Sequence, residues 1–168
     1  QLIIKDARGA EATADYALQN EPHTPELLGK AIKAYARAGN EEAMLKAYYE
    51  WQGEETERRL LQEEMAWSII HKGAKGSKPL IRLMSALAAH LSKDARGILL
   101  LCDLINDSNA LVRGMVAEVA AGTLDEPFRN ALLKRLNEEQ EWDVRLALIR
   151  DLGTMRIEKA KPYLESLI

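Results

Sequence analysis

Asp107-Ser108-Asn109-Ala110-Leu111-Val112-Arg113 decides the fold, because Glu141-Trp142-Asp143-Val144-Arg145 repeats its pattern one helical hairpin later. Each is a polar turn running into an aliphatic residue and an arginine at the start of an apolar-striped segment. Ile81-Arg82 opens a looser copy upstream. Arg82, Arg113 and Arg145 stand 31 and 32 residues apart. A fixed period of that size marks a chain built from stacked supersecondary units, each too small to bury its apolar face alone. Ala86-Leu87, Ala117 to Val119 and Leu148-Ile149 follow the three arginines. Gly122 and Gly153 then read as terminators in the last two copies, and second helices follow over 98–105, 128–136 and 160–167.

The rest of the chain agrees with helices throughout. Thr24-Pro25-Glu26 is a helix start, combining a capping hydroxyl, a proline suited to the first turn and an acid at the positive end of the dipole. Leu28, Ala31, Ile32 and Tyr35 follow at helical spacing. Gly39 ends that helix and Asn40 caps the next, whose stripe is Ala43, Met44, Ala47, Tyr48 and Trp51, up to Gly53. A third helix over about 56–71 puts Leu60, Leu61, Met65 and Ile69 on one side. Gly73-Ala74-Lys75-Gly76 reads as a loop with Ser77 as a cap. Leu80, Leu83, Met84, Leu87, Ala88 and Leu91 then form the cleanest stripe of the chain, expected in the core. Further helices are expected at about 94–106, 110–121, 126–137, 142–152 and 158–168, with an Ala-rich one over 6–19. The turns are short, as antiparallel neighbours require.

These residues carry a resemblance. The two turn-and-helix stretches look like the opening of HEAT repeats, and Ala160-Lys161-Pro162-Tyr163-Leu164-Glu165-Ser166-Leu167 looks like the second helix of the same unit. The likeness covers about residues 77–168. Ala31 to Ala43 is similar to a tetratricopeptide-type hairpin. The resemblance implies an all-α, right-handed α-solenoid of antiparallel helix pairs, an armadillo-type superhelix. It also implies a polar ladder between repeats from Asp107, Arg113, Asp143 and Arg145. One solenoid domain is expected over 1–168, irregular to residue 74 and HEAT-like over 75–168. The apolar ends, Leu2-Ile3-Ile4 and Tyr163 to Ile168, suggest a piece of a longer chain or a self-association surface, because repeat stacks need polar caps.

Composition narrows the function. Of 168 residues 47% are hydrophobic and 29% charged, with a net charge of -3, so a nucleic-acid binder with a basic excess is disfavoured. Cys102 is the single cysteine, which leaves no intrachain disulfide. No signal peptide or membrane-spanning run stands out. His23, His71 and His90 lack metal-ligand spacing. Gly73-Ala74-Lys75-Gly76-Ser77-Lys78 reverses the Gly-Lys-Ser order of a phosphate loop and follows no strand. Lys75, Lys78 and Arg82 nevertheless cluster at a helix start and could contact an anion. The Glu54–Glu64 carboxylates read as a solvated face, and Trp51 as core.

The expectation is a non-enzymatic scaffold without a cofactor or metal. Its protein or peptide partner would lie along the groove of the second helices, touching Arg129, Lys134, Lys161 and Glu165, with Trp142 as an anchor. The alternative from another class is a HEAT-like nucleic-acid-binding protein of the DNA glycosylase type. A third is an accessory subunit such as the HEAT-like bilin lyases suggest.

Overall fold

Local capping chemistry sets the first helices. A computed structural model of the chain describes residues 2–121 and 125–155 together with 161 and 165, with side chains from residue 6 onward. The Thr24 hydroxyl accepts from the Leu27 N–H at 3.2 Å and opens α2, Pro25–Ala38. Gly39 closes α2 at φ +75, a left-handed conformation that an L side chain resists. Asn40 accepts from the Ala43 N–H at 3.1 Å and opens α3, Glu41–Glu50. The starts of α2 and α3 and the end of α2 fall where the sequence puts them, whereas α3 stops at Glu50, short of Gly53, and leaves Trp51 beyond it in extended geometry.

Among the described residues there are nine helices and no strand: the chain is all-α. Before α2 runs α1, Leu2–Asn20, longer than the expected 6–19 because it takes in the apolar start. After α3 come α4 (Glu55–Ala74), α5 (Pro79–Leu91), α6 (Ala95–Leu104), α7 (Ala110–Val119), α8 (Glu126–Glu138) and α9 (Trp142–Thr154). Three local expectations change. Helix α4 continues through Gly73, so the loop before α5 is shorter. The residue preceding α5 is Lys78, which makes no side-chain cap, in place of Ser77. Gly153 lies inside α9, which ends on Met155 in right-handed geometry. Gly122 and most of the helix expected at 158–168 lie outside the described residues, as do the apolar side chains at both ends.

The chain divides into two compact units, Gln1–Lys72 and Gly73–Ile168. In the first, α2 packs between α1 and α3. Leu28, Ile32, Tyr35 and Met44 form its core, joined by Leu61 and Met65 of α4. Trp51 is buried, and its Nε1–H donates to the Pro25 carbonyl at 3.0 Å. Ser68 ties α4 to α2 by donating to the Ala36 carbonyl at 2.6 Å. Leu60 and Ile69, expected beside Leu61, face solvent.

In the second unit α5 packs on α6 and α7, α7 on α9, α6 on α8, and α8 on α9. Leu101, Ile105, Val112, Val116, Phe128, Leu132, Leu148 and Leu152 fill its interior. Burying each large aliphatic or aromatic side chain contributes roughly 1.5–3 kcal/mol. Helix α5 departs from its pattern. Its buried face is Ser85, Ala86 and Ala89, whereas Leu80, Met84, Leu87 and Leu91 are exposed. The reason is a close approach: a Cβ on Gly97 of α6 would lie 2.3 Å from the Ala89 carbonyl oxygen. Two backbones that near leave room only for small side chains, so the leucine stripe turns outward.

Candidate functional site

The arginines of the repeat occupy one position, the fourth residue of α5, α7 and α9. In the first two copies their chemistry is the same. Arg82 forks onto Asp107, Nε to Oδ2 at 2.6 Å and Nη2 to Oδ1 at 2.8 Å. Its Nη1 donates to the Gly76 and Ser77 carbonyls of the turn before its own helix. Arg113 forks onto Glu139 at 2.7 and 2.8 Å, and its Nη1 donates to the Asp107 and Ser108 carbonyls. Asp107 and Glu139 each stand three residues ahead of the next first helix. Each also accepts a backbone N–H two residues on, from Asn109 and Glu141. Every rung therefore ties a first helix to its own turn and to the turn that opens its neighbour.

Of the four residues the resemblance implied for the ladder, Asp107 and Arg113 take part, each with a partner outside that set. Asp107 serves Arg82, and the carboxylate facing Arg113 is Glu139, buried to 1%. Arg135 also donates to it at 3.0 Å. This crowd of donors, led by Arg113, holds the Glu139 carboxyl down at about 2. Asp143, expected in the ladder, sits exposed in the first turn of α9. Arg82, expected at an anion site with Lys75 and Lys78, has its guanidinium filled by Asp107, while the two lysines are exposed. Arg145 is the third rung. Among the described residues it has no carboxylate, and its Nε is buried without a partner.

The first helices also expose large apolar side chains in their opening turns. Leu80 and Met84 lie on α5, Leu111 and Met115 on α7, and Trp142 and Leu146 on α9. Leu80 is 67% exposed, Leu111 63% and Trp142 61%. Each pair is spaced by four residues, one helical turn, on a helix that packs against the next in the series. Isolated surface leucines are ordinary, but Leu80 with Met84 and Leu111 with Met115 recur at the same two positions of α5 and α7 and make a patch, whereas Trp142 and Leu146 stand one position earlier on α9. The residues expected to bind along the second helices fall elsewhere: Arg129 is half-buried and Lys134 exposed on α8. Lys161 and Glu165 are exposed and pair with each other at 3.9 Å. The structure does not join Trp142, on α9, to them.

The first unit holds a titratable cluster in a cavity of about 260 Å³, bordered by Asp15, His23, Tyr35, Lys46 and Glu50. His23 Nε2 is 2.9 Å from the Leu18 carbonyl, and Nδ1 is 2.8 Å from Glu50 Oε2. Both neighbours are acceptors, so the geometry favours the imidazolium form, in which both ring nitrogens donate. The Leu18 carbonyl, followed by Glu50, raises the His23 pKa. Tyr35 donates to Asp15 Oδ1 at 2.7 Å; burial and then that bond push its phenol up. These bonds pin α1 to α2 and α3.

Cys102 is half-buried, and burial raises its thiol above the ordinary range, away from the reactive thiolate. Among the described residues no three His, Cys, Asp or Glu side chains gather as a metal site would need, and no helix is long and apolar enough to cross a membrane. No family model matches this chain, no curated protein matches it, and no solved structure matches it.

Proposed function

We propose that this chain is a non-enzymatic helical-repeat scaffold, its second unit a HEAT-like right-handed solenoid that binds a protein partner. The observation that carries the reading is the apolar pair repeated at the same positions of α5 and α7, continued by Trp142 and Leu146 in the opening turns of α9, on helices linked by the arginine forks. Apolar groups exposed on an extended row of helices suit a partner helix or loop that buries them together. The patch lies on the first helices, so the reading moves the docking surface from the second-helix groove to the opposite series.

Two triple variants compared in a native-lysate pull-down test it. Leu80→Gln, Leu111→Gln and Met115→Gln together should abolish capture of a partner that wild type retains. Arg129→Glu, Lys134→Glu and Lys161→Glu should leave it bound. The reverse result moves the site to the second helices, and equal capture by all three proteins overturns the assignment.

A further inference from the structure

In the first unit α1 and α3 each pack on α2 rather than on each other, which leaves a slot between them. Both ends of the slot are tied. Where α3 starts, Asn40 Nδ2 donates to Glu11 Oε1 at 2.8 Å, and where it stops, His23 bridges to Glu50 at 2.8 Å. Between those ties α3 runs about 15 Å at 1.5 Å per residue. Leu28 and Tyr35 of α2 line the floor, and the small side chains of Ala43 and Ala47 on α3 leave a space of about 260 Å³. A larger residue at 43 would gain packing contacts that this wall forgoes. All of the lining residues lie between positions 15 and 50, clear of both ends of the chain.

Two opposite charges border this space without meeting. Asp15, on the α1 wall, accepts from Tyr35 through Oδ1, which leaves Oδ2 free. Lys46, on the α3 wall, makes no hydrogen bond or ion pair among the described residues. Glu50, the other carboxylate of the rim, is held by His23. An acid and a base on facing walls above an apolar floor match a molecule that carries both charges at one end and a hydrocarbon group at the other. We propose that the slot binds a free α-amino acid with an aliphatic side chain. Its ammonium meets Asp15 Oδ2, its carboxylate meets the Lys46 ammonium with the Gln19 amide beside it, and its side chain lies on Leu18, Leu28 and Ala47. A ligand with one charge would leave the other wall unanswered. The space lies just below the roughly 300–1,000 Å³ of sites for drug-sized molecules, which suits so small an occupant. This site belongs to the first unit and does not rest on the scaffold reading of the second.

The test titrates the full chain with L-leucine and follows its backbone amides by two-dimensional NMR. Two analogues keep the leucine side chain and one charge each: 3-methylbutylamine and 4-methylpentanoate. Leucine should shift the Leu18, Ala43 and Ala47 amides saturably, with a dissociation constant of about 1 mM or below. Either analogue should bind about threefold or more weakly. Asp15→Asn, which keeps the acceptor for Tyr35, and Lys46→Gln should each weaken leucine binding by about threefold or more. Ala43→Leu should abolish it by filling the slot, with circular dichroism reporting that the helices remain. If that variant fails to fold, the two charge variants, at exposed positions, decide the matter. Equal affinity for leucine and an analogue overturns the proposal. So does binding that survives at full strength in folded Ala43→Leu or in both charge variants, and so does the lack of a saturable shift up to about 10 mM leucine.

Discussion

Replacing Glu139 by glutamine tests the ladder at its most buried point. The carboxylate accepts from the Arg113 Nε and Nη2, from the Arg135 Nε and from the backbone N–H groups of Gln140 and Glu141, all at 2.7–3.0 Å. Glutamine keeps the shape but brings an NH2 donor against guanidinium donors and leaves Arg113, 8% exposed, without its counter-charge. Breaking one side of a buried ion pair costs about 3–5 kcal/mol. A second route gives a similar figure. A carboxyl lowered from 4.5 to about 2 on folding contributes about 3 kcal/mol at neutral pH.

The pH dependence separates this charge effect from simple mispacking. Because folding depresses the pKa of Glu139, its contribution is complete above 4.5 and drains away as pH falls toward 2. By pH 3 about 2 kcal/mol of the 3 should be gone. Urea unfolding of wild type and Glu139→Gln, followed by circular dichroism and by amide exchange in α7 and α9, should show a gap of about 3–5 kcal/mol at pH 7 that narrows by about 2 kcal/mol at pH 3. A gap under about 1 kcal/mol at pH 7 would mean the fork does not hold the helices. A gap that stays constant with pH would mean the loss is steric.

Other expectations follow from burial and charge. Leu148→Ala, at 0% exposure, should cost about 2–5 kcal/mol, whereas Leu87→Ala, on the outward stripe, should cost under about 1 kcal/mol by the same urea titration. Asp151 is buried with Oδ2 unpartnered, and burial lifts its carboxyl from 3.8 to about 6. Its ionised form therefore opposes folding increasingly as pH rises from 3.8 through 6, by about 3 kcal/mol at pH 7. Asp151→Asn should stabilise the chain at pH 7 by about 1–3 kcal/mol and make no difference below pH 4; no gain at pH 7 refutes it. His23 should titrate above 6.5 in a two-dimensional NMR series, and Glu50→Gln should bring it down. Since folding raises that pKa, the bond's support for the α1–α3 contact is full below 6.5 and lost as pH rises through the folded value.

What the sequence made legible was whatever depends on near neighbours. Thr24, Gly39 and Asn40 bound their helices because caps act across three or four residues, and Leu28, Ile32 and Met44 were legible as core from spacing alone. Helix α5 was not. Periodicity says which side chains share a face, but which face packs depends on what the neighbour allows. Gly97 lets α6 come close to the Ala89 backbone, Ser85, Ala86 and Ala89 face inward, and four of the six apolar residues at ideal spacing become surface. A glycine in the next helix opposite an Ala-Ala-Ser face was the available signal, and it carries less weight by eye than a run of leucines.

The ladder shows the same limit from the polar side. Aligning the copies on their arginines finds Arg82, Arg113 and Arg145 but points to Asp143, one residue into its helix, as a partner. Aligning them on the helix starts finds Asp107 and Glu139, both three residues ahead, where a carboxylate can accept from its own turn and still reach back across the helix pair. The second alignment fits the physics better, because an acid satisfied by two turns at once loses little side-chain freedom on pairing, whereas one on an exposed first turn would have to be drawn from water. It also leaves Arg145 without an acid among the described residues, because the position it points to, three residues ahead of a further first helix, lies outside them.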